Sequence, residues 1–189
     1  MENNMKQGYI VADPPIAANL FGSTRWAWLW LIPRLYVGYV WLTAGWAKLS
    51  EPGWVQTGEV LKGFWQRAVA IPAAPARPLI TYVWYRAFIS SLLASGSYTW
   101  FAKAIVAGEI LVGIAMILGV FTGIAAFLGG FMNWNYLMAG TASVNPMLFI
   151  LSILVILAWK TAGWWGLDRW MLPLLGTPWK PGKLFEKKT

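Results

Sequence analysis

Residues 104–120 read "AIVAGEILVGIAMILGV", an apolar run broken by one carboxylate, Glu109. Taken alone, the stretch fits two molecules: a soluble core helix with one charge, or a membrane span with a charge set inside it. The rest of the chain separates them. Of its 189 residues, 58% are hydrophobic and 12% charged, against ~25% charged in typical soluble domains. The apolar residues fall in runs rather than stripes, and about 18 of them suffice to cross a bilayer as helix. Four segments reach or approach that length: 26–48, containing Pro33 and Arg34; 100–120, containing Lys103 and Glu109; the uncharged 122–140; and 146–165, in which Lys160 can snorkel to the interface. The expectation is an all-α integral membrane protein, a four-transmembrane-helix bundle with Glu109 inside the bilayer.

The first run starts after about 25 tolerably polar residues, is too long for a signal-peptide core and ends in "AGWAKL", so it reads as an uncleaved span. The chain has neither cysteine nor histidine. Disulfides, thiol catalysis, iron–sulfur ligation, His-ligated haem and most metal sites are therefore not expected. Any electron carrier must be borrowed from a lipid-soluble molecule or a partner subunit. A net charge of +8 does not indicate nucleic acid, because the basic residues flank apolar runs. The C-terminal "KPGKLFEKKT" suits anionic lipid headgroups. Many of the fifteen tryptophans fall near span ends, where aromatic belts sit.

With four spans both termini share one side. The side holding Lys6, Arg25, Lys160, Arg169, Lys180, Lys183, Lys187 and Lys188 is the cytoplasmic one. Residues 1–25 and 170–189 are then cytoplasmic tails, the second one basic, on a multi-pass protein of the plasma membrane. The 50–99 connection is long enough to carry structure of its own. "GEVLKGFWQRAVA" (58–70) and "LITYVWYRAFISSLLA" (79–94) read as interfacial helices separated by "PAAPARP". A re-entrant segment is the rival for 79–94.

Three polar-and-small stripes emerge at helical spacing: Arg34, Gly38, Trp41, Gly45 and Lys48; Glu109 with Gly113; and Gly129, Asn133, Tyr136 and Gly140. Facing one another, they would form the inside of the bundle. An Arg34–Glu109 pair is expected, with Lys48 or a water as third member. Such a pair either fixes helix register or marks a site, since ionisable groups cost about 2.5–3.5 kcal/mol each in lipid. Asn133 reads as interhelical glue or a ligand contact, and Trp41 and Tyr136 as packing or a cavity wall. Asp168 and Arg169 in "GWWGLDRW" begin a short helix, where the helix dipole favours the acid.

These landmarks resemble the DoxX/DoxD family of small four-span membrane proteins. The resemblance rests on "RLYVGYVWLTAGWAKL" (34–49), "AGEILVGIAMILGVFTGIAA" (107–126), "FMNWNYLMAGTASVNP" (131–146) and "GWWGLDR" (163–169). The third stretch and the long first loop are closest to the DoxD branch, the small membrane subunit of thiosulfate:quinone oxidoreductase. The resemblance places Arg34, Lys48 and Glu109 at the family's charged positions, and Asn133, Asn135, Ser143 and Asn145 in its polar third-span motif. It implies a DoxA-type partner that this chain does not contain. Two functions follow. In one, a quinone sits between spans, bound by Arg34, Trp41, Lys48, Asn133 and Tyr136, while Glu109 handles the proton with Arg34 as its charge partner. In the other, the chain is a noncatalytic accessory subunit docked on a larger respiratory, photosynthetic or redox membrane complex. A transporter ranks third, for want of repeats or broken helices.

Overall fold

The computed structural model describes residues 12–176, and every regular element among them is helical. A short helix α1 (Pro15–Gly22) and a 3-10 turn (Thr24–Trp26) precede the long α2 (Ala27–Leu49). Three short helices follow: α3 (Pro52–Val55), α4 (Glu59–Val69) and α5 (Val83–Ala94). Then come α6 (Tyr98–Leu118), α7 (Thr122–Met138), α8 (Asn145–Leu157) and α9 (Asp168–Leu175). Helix α6 stops where Gly119 takes the left-handed conformation (φ 68°), which glycine adopts without Cβ strain.

α2, α6, α7 and α8 form a closed ring in which each packs against the next and α8 returns to α2. Successive members run antiparallel. The tightest seam, between α2 and α6, is made by glycines. A Cβ on Gly45 would lie 2.7 Å from Ile110 Cγ1, and one on Gly113 2.6 Å from the Leu42 nitrogen. Small residues at such a seam let backbones approach closely. Trp30, Val37, Trp41, Val112, Met116, Ala126, Leu148 and Val155 fill the ring.

Among the described residues α6 alone is both long and apolar enough to cross a membrane, with a mean hydropathy of 2.1 over its best 18 residues. Only 33% of that window is buried, and Leu111, Ile114 and Leu118 make an exposed apolar face. α2 is longer but carries Arg34 and Lys48, while α7 and α8 have 17 and 13 residues. The fourth apolar run, expected as helix to 165, leaves α-helix after Leu157. Residues 158–165 continue as hydrogen-bonded turns, through Ala162 N to Ala158 O (2.7 Å) and Trp164 N to Thr161 O (3.0 Å). Gly163 and Gly166 lower helix propensity there.

The first loop is folded, as its composition suggested. Leu61, Trp65 and Ala68 of α4 and Tyr85 and Ile89 of α5 make a second core with Ala102 of α6 and Ala139. This cap covers the ends of α6 and α7. At the opposite end, the segment expected as a plain N-terminal tail is partly docked: Trp30 Nε1 donates to the Leu20 carbonyl (2.8 Å), and Thr161 Oγ1 donates to that of Phe21 (3.0 Å). Lys6, the lysines after 176 and the basic end of the chain lie outside the described residues.

Candidate functional site

The Gly45 contact sets the site's register by bringing α2 against α6 at Glu109, whose Cβ would be 3.0 Å from a Gly45 Cβ. Lys48 lies about one turn beyond Gly45. Its Nζ donates to both carboxylate oxygens of Glu109, at 2.9 and 2.8 Å. Tyr136 of α7 donates its hydroxyl to Glu109 Oε1 at 2.7 Å. The Glu109 side chain is 1% exposed and that of Lys48 22%. The Lys48 ammonium also lies 5.3 Å from the centre of the Trp54 ring. An ammonium has three donors, and two go to Glu109.

This cluster opens into a cavity of about 340 Å³. Trp41 and Tyr136, stacked with centroids 6.3 Å apart, form one wall. Trp54 and Phe64 come from the cap, and Thr141, Ser143 and Asn145 from the α7–α8 connection and the start of α8. Arg67 also lines it, so the lining holds two cationic side chains, one carboxylate and the Tyr136 phenol. Trp41 is 2% exposed, and its Nε1 has no hydrogen-bond partner.

The expected Arg34–Glu109 pair does not form. Arg34 lies at the other end of α2, donates from Nη2 to the Trp165 carbonyl (3.0 Å) and lines neither this cavity nor a larger neighbouring one. Its guanidinium wedges against Gly119 and Gly166, clamping the α6–α7 turn to the chain before α9. The same junction is held by Leu167 N to Leu118 O (3.0 Å) and Asp168 N to Gly119 O (2.8 Å). Register explains the correction. Glu109 is eleven residues into α6 and Gly45 four from the end of α2, so α6 begins about 10 Å farther out than α2 ends. That puts Arg34 about 16 Å from the level of Glu109.

Asn133 is fully buried, and neither amide atom has a partner. It follows Gly129, whose Cβ position lies 2.9 Å from Trp41 Nε1, and Gly130, whose Cβ position meets Ser152 Cβ at 3.4 Å. Ser152 Oγ is likewise buried and unpartnered. Asn133 thus belongs to a polar layer beside the cavity without lining it. Asp168 does begin α9, and it does more. Its two oxygens accept the backbone N–H groups of Phe121 (2.6 Å) and Thr122 (2.8 Å), capping α7. The 163–169 stretch contained the acid, but nothing local in it pointed to the helix it caps. Trp54, Phe64 and Arg67 were missed for a similar reason: they reach the site only because the cap folds back over α2.

The larger cavity, about 530 Å³, lies between α4, α5, α6 and α7 and shares Phe64 and Tyr136 with the first. Comparison with protein-family models, with curated proteins and with solved structures finds no match.

Proposed function

We propose that the chain is a four-span, multi-pass membrane subunit of a quinone-linked oxidoreductase, with both termini cytoplasmic. Its DoxX/DoxD resemblance implies the thiosulfate:quinone type, working with a DoxA-type partner. The outward faces support insertion: Ile32 of α2, Leu111 of α6, Phe127 of α7 and Ile150 of α8 are 55–65% exposed. A belt of that kind is a liability in water and is solvated in lipid.

The observation that carries the functional reading is the buried Lys48–Glu109–Tyr136 cluster opening on a cavity walled by the Trp41 and Tyr136 rings. Buried charges are costly in lipid and by default mark sites. A flat head with carbonyl acceptors fits this lining. The third Lys48 N–H is a donor for a carbonyl oxygen, and the stacked Trp41 and Tyr136 rings are a flat wall. When bound, a quinone takes up two electrons and two protons as the partner subunit joins two thiosulfates into tetrathionate. The chain's own part is to orient the head, exclude bulk water and move protons. Lys48 and Tyr136 both donate to Glu109, so a proton delivered from Lys48 Nζ can be replaced through the carboxylate.

Purification in mild detergent, followed by organic extraction and mass analysis, tests this. The expected result is bound quinone and a small second subunit, with the quinone lost from Lys48→Met. A large assembly without quinone would replace this reading with the accessory-subunit one.

A further inference from the structure

The aromatic cavity beside the site is unlike its neighbour. Trp84, Phe88, Phe101, Ile105, Phe131 and Trp134 line much of it, and no ionisable side chain other than tyrosine does. Its phenol and amide groups are engaged: the Tyr85 hydroxyl donates to Asn135 Oδ1 (3.1 Å), Asn135 Nδ2 to the Phe131 carbonyl (2.8 Å) and the Tyr136 hydroxyl to Glu109. What fits there is hydrocarbon. Trp84 is 57% and Phe131 53% exposed, so the groove opens on the flank of the bundle. A helix is about 10 Å across, and 530 Å³ would hold roughly 7 Å of one, little more than a turn. A single flexible chain suits it better.

Resting on the quinone reading, we propose that this groove is the lateral entry and seat for the isoprenoid chain of the quinone whose head occupies the Lys48–Glu109 cavity. Continuity carries the assignment. Phe64 and Tyr136 line both cavities, and Tyr136 presents its hydroxyl to Glu109 while its side chain also lines the groove. One molecule with a polar head and an apolar chain spans both compartments around that ring. Ala104, on the groove wall and exposed, is where a larger side chain would block the chain without touching the head.

The test uses the full-length protein in lipid nanodiscs with a photoreactive quinone carrying a diazirine on its third isoprene unit. A phosphatidylcholine with a diazirine on its acyl chain is the control. The expected result is quinone labelling of α5 and α7 at Trp84, Phe88, Phe131 or Trp134, displaced by excess quinone bearing one isoprene unit. Labelling should fall about tenfold in Ala104→Trp, while the one-unit quinone still binds. Displaceable quinone labelling confined to other surfaces would overturn the groove assignment and leave the quinone site standing. Equal labelling by the phospholipid, undisplaced by the short quinone, would assign the groove to bulk lipid and overturn the proposal. Failure of the short quinone to bind or displace anything would remove the quinone reading itself.

Discussion

Glu109 receives three donated hydrogen bonds, two from Lys48 and one from Tyr136, at a position closed to solvent. Removing one partner of a buried ion pair leaves an uncompensated charge, at a cost of about 3–5 kcal/mol, whereas replacing both with apolar groups is often neutral. Lys48→Met is therefore expected to destabilise the detergent-solubilised protein by about 3–5 kcal/mol in denaturant unfolding. Lys48→Met combined with Glu109→Leu should regain most of the loss. Additive losses in the double variant would mean that the pair does not hold α2 to α6. That a charge cluster would form around Glu109, with Lys48 as a candidate member, was readable from helical spacing. The choice of Arg34 failed because α6 begins about 10 Å farther out than α2 ends. The stagger is fixed by the close contacts of Gly45 with Ile110 and Glu109 and of Gly113 with Leu42, and the spacing along each helix does not say which glycine meets which partner.

The cap is joined to α7 by a phenol. Tyr85 donates to the Asn135 carbonyl and to its Oδ1, both at 3.1 Å, and burial pushes its hydroxyl up to about 12. Because the folded value is raised above the ordinary 10, the unfolded chain loses this proton first. The contribution to stability is complete below pH 10 and is lost as pH rises toward about 12. Unfolding of the wild type should show this extra alkaline loss, and Tyr85→Phe should lack it; identical profiles would rule out Tyr85 as the link. Both cap helices were legible from amphipathic and aromatic patterning, to within a few residues at each end. The C-terminal end of α8 was not, because apolarity continues past Leu157, where the α-helix gives way to hydrogen-bonded turns. Hydropathy reads the solvent, not the backbone.

The whole molecule is a ring of four helices with an aromatic cap at one end and the junction of Arg34 and Asp168 at the other. If the ring spans the bilayer with its termini in the cytoplasm, the cap lies outside. Gly63→Cys and Ser95→Cys should then react with an impermeant maleimide added to intact cells. Protection of both, with labelling only after the cytoplasmic face is opened, would reverse the orientation. On the proposed quinone reading, Glu109 handles the proton of a quinone held beside it. Glu109→Gln keeps the shape of the side chain and one acceptor oxygen for Lys48 and Tyr136 while removing the ionisable group. Quinone reduction by the reconstituted complex across pH 5–8 measures its effect directly. General acid–base contributions are typically 10²–10⁴-fold, so the account predicts a fall of about a hundredfold or more with assembly intact. A Glu109→Gln complex that assembles normally and turns over at the wild-type rate throughout that range would contradict it.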